Sequence, residues 1–157
     1  MKRTNLKVGD VFVIPLPDGR KAYGQFVFWD DRKPYGLGFL VQIFDLITEV
    51  EVPVEQLRST RPLFPPVFVG LRASIRSGRW RVVGRLPVEG FVFPKFRWTN
   101  GGKPGIYHDW KIWDGEQVVF VGDLPPEYRS LELFCVWGDE LLEDRIATGV
   151  NPFDKVM

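Results

Sequence analysis

Along the first third of the chain, apolar residues come in short bursts separated by turn formers. Val11 and Val13 before Pro15, then Lys21 to Trp29, read as two strands joined by a tight turn at Pro17-Asp18-Gly19. Asp30 to Gly36 is a polar loop. Phe39 to Ile47, apolar at nearly every position, reads as a third strand buried on both faces. Val52 to Leu57 reads as a strand end or a single helical turn. Pro62, Pro65 and Pro66 mark a possible internal sheet boundary near 58–66, within a single domain spanning 1–157.

Beyond that boundary, strands are expected at Val67 to Ile75, Arg79 to Leu86, Phe91 to Pro94, Ile106 to Trp113, Gln117 to Val121 and Leu131 to Trp137. Ser77-Gly78 and Asp114-Gly115 are turns, and Asn100 to Gly105 is a flexible loop. Ile106, His108, Trp110 and Ile112 share one face at a period of two. One helix is expected, from Asp139 to Ala147. Asp139 caps it, Gly149 ends it, and Leu141, Leu142 and Ile146 form its buried stripe. The expected fold class is mainly β (α+β). It comprises antiparallel sheets, or an SH3-like barrel-type N-terminal part, with a second sheet and one C-terminal helix.

Composition supplies the core for such a fold. Six Trp and thirteen Phe are present among 157 residues. A chain of this length buries roughly 70% of its unfolded surface, so disulfides or metals are not needed for stability. Cys135 is the only cysteine, which rules out an intramolecular disulfide and points to a reducing compartment. Val11 to Ile14 is cut off by Pro15, too short for a leader core. No window approaches the ~20 apolar residues of a membrane span. The chain is expected to be cytoplasmic, with no membrane partner.

Net charge is only +1, but it is unevenly placed. Residues 1–105 carry 17 Lys and Arg against 9 Asp and Glu, and residues 106–157 carry 4 against 11. Such asymmetry steers a charged partner to one end unless folding mixes the halves.

Catalytic chemistry finds little support. His108 and Asp109 suggest a dyad, but neighbours on a strand point to opposite faces. Cys135 lies among apolar residues with Glu132 nearby, the wrong surroundings for a thiolate, and reads as packing. One His and one Cys do not furnish a zinc site. Gly36-Leu37-Gly38 lacks the third glycine of a dinucleotide loop. No enzyme activity, cofactor or metal is expected.

Arg79, Arg81 and Arg85, followed by Lys95, Phe96, Arg97 and Trp98, mix cations with rings as single-strand binders do. The Arg79/Arg81 face is therefore the basis of an alternative reading, a nucleic-acid-binding SH3-like module. The nearly neutral balance of the chain argues against it.

Two stretches resemble the immunity protein 26 family of bacterial polymorphic-toxin systems. The first runs from Val8-Gly9-Asp10 through the strand to Pro15 and the turn at Gly19, then to Tyr23-Gly24-Gln25. The second is Ser77-Gly78-Arg79-Trp80-Arg81-Val82-Val83-Gly84, followed by Phe93-Pro94 and Phe96. The resemblance covers roughly residues 6–147. It implies a cytoplasmic protein that neutralises a cognate protein toxin by binding it, without catalysis. Gly9, Asp10, Gly19, Gly24, Gly78, Trp80, Gly84, Pro94 and Phe96 are then expected to hold the scaffold. The acidic helix residues Asp139, Glu140, Glu143 and Asp144 are the candidate toxin contacts, suited to a basic toxin such as a nuclease.

Overall fold

The computed structural model describes residues 5–100 and 108–155. The protein is mainly β and divides into two compact units. Unit 1 takes the described residues up to Phe91 together with Val136–Val150, and unit 2 takes Val92–Cys135 with the residues from Asn151.

Unit 1 is built on a six-stranded mixed sheet. Its strands are β1 (Asp10–Pro15), β2 (Lys21–Asp30), β3 (Gly38–Ile43), β4 (Val67–Val69), β5 (Arg81–Arg85) and β10 (Val136–Trp137), in the spatial order β10-β4-β3-β2-β1-β5. Only the β10–β4 pairing is parallel. The β1–β2 hairpin forms as the Pro-Asp-Gly turn dictates, with Phe12 opposite Gly24 and Val13 opposite Tyr23.

β1 is buried on both faces. On one face Val11, Val13, Tyr23, Phe44, Leu57 and Leu86 form a cluster. A 3-10 turn at Val54–Leu57 closes over it, as one of the two readings of that segment expected. The Tyr23 hydroxyl anchors the loop above, pairing with Thr48 Oγ1 at 2.8 Å and accepting from the Val52 amide at 3.0 Å. On the other face the Phe12 and Trp80 rings stack, 5.5 Å apart and 7° from parallel.

Two glycines are fixed by this packing. A Cβ on Gly24 would lie 2.6 Å from ring carbons of Phe12, and one on Gly84 would lie 2.7 Å from Val54 Cγ2. Each glycine therefore allows a close approach that any side chain would block.

Unit 2 holds a four-stranded mixed sheet in the order β8-β7-β6-β9. Its strands are β6 (Phe96–Trp98), β7 (Trp110–Trp113), β8 (Val118–Gly122) and β9 (Glu132–Leu133). Trp110, Ile112 and Leu124 form its core on one face. Phe134 packs against Phe96, Trp98 and Trp113.

Several expected elements are corrected. The strand expected over Val67 to Ile75 ends at Val69 and gives way at Gly70 to helix α1 (Leu71–Arg76), whose buried Leu71 and Ser74 lie one turn apart. The strand expected from Arg79 begins at Arg81, because Trp80 is tied back to the end of α1 by its amide on the Ser74 carbonyl. The third strand stops at Ile43, after which the Asp45 amide donates to the Arg61 carbonyl and the Leu63 amide to that of Ile43, setting Phe44 opposite Pro62. Phe91 to Pro94 forms no strand. The expected final strand from Leu131 splits into β9 and β10, which belong to different sheets. The proline-rich 58–66 segment joins strands of one sheet, and the chain passes between the units at 91/92, 135/136 and 150/151.

The C-terminal helix is α2 (Asp139–Thr148), in unit 1. Gly149 ends it in the left-handed conformation, as expected. Gly138, not Asp139, occupies the cap position. Leu142 and Ile146 are buried, whereas Leu141 is exposed.

Candidate partner-binding surfaces

The four acidic residues of α2 have separate fates. Glu143 is 3% exposed and takes two hydrogen bonds from the Arg79 guanidinium, at 2.8 and 2.7 Å. It also accepts the Trp80 indole N–H at 2.9 Å. The carboxylate in turn raises the Arg79 pKa further above its usual range, chiefly through these hydrogen bonds. Glu143 is thus an internal tie, and its expected role as a partner contact is withdrawn. Asp139 is half-buried, accepting the Ser74 hydroxyl at 3.0 Å and its neighbour's amide at 2.7 Å. Glu140 and Asp144 are exposed, one helical turn apart on a shared face. Leu141 lies beside them, 40% exposed.

The buried face of α2 is more polar than its apolar pattern suggests. Arg145 places its guanidinium 3.7 Å from the Phe64 ring centroid and 5.1 Å from that of Trp137. Leu142, Glu143, Arg145 and Ile146 together make the packed side.

The Arg79/Arg81 face is not assembled as a basic surface. Arg79 belongs to Glu143 and Asp139, Arg81 pairs with Glu51, and Arg85 pairs with Asp10 at 3.1 Å. Each of these three arginines already faces a carboxylate. Arg97, grouped with them in sequence, is fully buried in unit 2. It donates to the carbonyls of Leu131 and Phe153, and desolvation lowers its pKa.

The scaffold residues occupy interior or turn positions. Trp80 and Phe96 are core rings, and Asp10 is buried, receiving the Lys7 amide and Arg85. Gly9, Gly19 and Gly78 adopt positive φ. Pro94 is half-buried in the loop before β6.

His108 and Asp109 do not form a dyad. His108 lies outside β7, exposed, with Nδ1 against Asp123, while Asp109 accepts the Thr99 hydroxyl. That hydrogen bond is the main reason the Asp109 pKa is lowered. Ile106 and Tyr107, expected on the same strand, lie outside the described residues. Cys135 is half-buried, not enclosed as expected. Among the described residues no three His, Cys, Asp or Glu side chains gather where a metal ion could be held. No helix there is long and apolar enough to cross a membrane.

A second exposed surface escaped the sequence reading. Val119 and Phe120 of β8 are 53% and 66% exposed. The run Val118-Val119-Phe120-Val121 has the composition of a core strand. It stands at the end of the sheet, with β7 as its one strand neighbour among the described residues. The signal available in the sequence was the acidic frame around it, Asp114 and Glu116 before and Asp123 and Glu127 after.

Comparison with curated proteins and with solved structures gives no match. The sequence profile of one family, described as Immunity protein 26, matches residues 7–100. The match contains Gly24, Trp80, Gly84 and Phe96, which are held by packing, and five of the six strands of the unit 1 sheet. On that match, over more than half of its length, the chain belongs to the immunity protein 26 family.

Proposed function

We propose that the chain is a cytoplasmic immunity protein that neutralises a cognate bacterial toxin by binding and occluding it. The observation that carries this reading is the family match over residues 7–100. The geometry is consistent with it. The residues carrying the family pattern are spent on packing, which leaves the outward side chains to differ between relatives that meet different toxins. Glu140 and Asp144 are the acidic contacts of this reading, and they favour a basic toxin surface. The nucleic-acid alternative loses its basis once Arg79, Arg81 and Arg85 are paired with carboxylates.

The test is genetic and biochemical. The reading predicts a toxin domain encoded beside this gene, to be expressed with and without the chain. Growth rescue and a complex that survives gel filtration are expected. Rescue without any complex would contradict occlusion.

A further inference from the structure

The geometry points to β8 as an open strand edge that takes an extended, Lys/Arg-flanked segment of a protein partner as a further strand of the unit 2 sheet. This rests on the reading of the chain as a toxin-binding protein and names a surface for it.

Among the described residues, β8 pairs with β7 alone. The phase of that ladder follows from its turn. The Asp114 amide donates to the Gln117 carbonyl at 3.3 Å, and Ile112 faces Val119. Bonded pairs alternate along an antiparallel ladder, so Ile112 and Val119 are the next bonded pair. The amides and carbonyls of Val118 and Phe120 then point outward, away from β7. Protein edges are commonly blunted by lysine, proline or an inward charge. Val118–Gly122 carries none of these, and its one bulge falls beyond Phe120, where the register shifts between Lys111↔Phe120 and Trp110↔Gly122. Its exposed side chains stand on both faces, Val119 on one and Phe120 on the other. On the Phe120 face, Lys111 lies directly opposite, with its ammonium 5.3 Å from the Trp98 ring centroid.

Charge selects the occupant. Residues 114–127 contain Asp114, Glu116, Asp123 and Glu127 and no Lys or Arg. Asp123 remains 82% exposed even with His108 against it. A second copy paired antiparallel about Val119, which sets the outward Val118 and Phe120 opposite each other, would bring two acidic frames onto one short ladder, and juxtaposed like charges oppose that pairing. A strand with cations at its ends and apolar side chains between them meets the acids favourably and covers Val119 and Phe120. Backbone bonds then supply affinity and the flanking charges supply selectivity.

The experiment uses the full chain and blocked peptides with a Val-Thr-Val-Thr centre, flanked on each side by lysines or by glutamates. Amide exchange is followed by NMR. The lysine-flanked peptide should slow exchange at Val118 and Phe120 and bind about tenfold tighter than its glutamate twin at low salt. Phe120→Pro removes one outward donor, and Phe120→Lys puts a cation on the edge. Both should weaken binding by about tenfold or more while the circular dichroism spectrum is kept. No binding, protection confined to other strands, or a β8-dependent dimer of the chain would overturn the proposal. A parallel arm uses the neighbouring toxin. A complex that leaves the Val118 and Phe120 amides unprotected overturns the proposal while the immunity reading stands. Peptide addition at β8 without any toxin complex supports the edge and removes the immunity reading.

Discussion

Trp80 and Glu143 show how one residue pair joins distant stretches of the chain. The indole is stacked on Phe12, and its N–H meets a carboxylate from a helix 63 residues away. Arg79 closes the same carboxylate from outside, so a family-type Gly-x-Trp segment also secures α2, which lies beyond the matched residues. Removing the carboxylate leaves an indole N–H without its acceptor and Arg79 with only the more distant Asp139. Glu143→Ala should therefore destabilise unit 1 by about 2–4 kcal/mol, read as a lower urea midpoint. Glu143→Gln, which keeps an acceptor for the indole, should cost about half as much. Equal, negligible losses would show that the tie carries no stability.

At the scale of elements, local chemistry was readable and distant pairing was not. The β1–β2 hairpin followed from Pro17-Asp18-Gly19 and two apolar runs, all within about twenty residues. The helical stop at Gly149 followed from the glycine itself. By contrast, Glu143 reads from sequence as a toxin contact alongside the other acids of its helix, because its partners Arg79 and Trp80 come from another part of the chain. Leu131 to Trp137 looked continuous, because no local signal says that its two ends pair with different sheets. The exposure of Phe120 was hidden for the same reason, since an edge strand and a central one share a composition.

Two predictions belong to these elements. Glu140 and Asp144 are the exposed acids of α2, so Glu140→Lys with Asp144→Lys should slow toxin association about tenfold at low salt and much less at high salt, with stability unchanged. Stopped-flow association rates that are identical at both salts would remove α2 from the interface. The β7–β8 turn carries an acid-sensitive contact. The amides of Gln117 and Glu116 donate to Asp114 Oδ1 at 2.7 and 2.8 Å and lower the Asp114 pKa. A carboxyl lowered on folding adds stability above its unfolded value of about 3.9, and that contribution is lost as pH falls through the folded value. The Glu116 and Gln117 amide shifts should titrate together with a midpoint below that value, and Asp114→Asn should abolish the titration.

For the whole molecule, the charge imbalance of the sequence is partly consumed by folding. Acids of α2 answer Arg79 across the two halves, whereas Asp10, Glu51 and Asp45 pair with Arg85, Arg81 and Arg61 inside the basic half. Among the acids that remain outside are the Glu140/Asp144 pair of unit 1 and the frame of the β8 edge of unit 2. Both surfaces carry negative charge beside exposed apolar side chains, which suits a basic protein better than a phosphate backbone. Neutralisation by coverage uses up one copy of the chain per toxin, whereas catalytic detoxification does not. The direct measurement is therefore a titration of the neighbouring toxin's activity with the purified chain. Residual activity should fall linearly to zero at an equimolar ratio, with the toxin recovered at unchanged mass after dissociation. Loss of activity at a small fraction of equimolar, or a toxin of altered mass, would contradict neutralisation by binding.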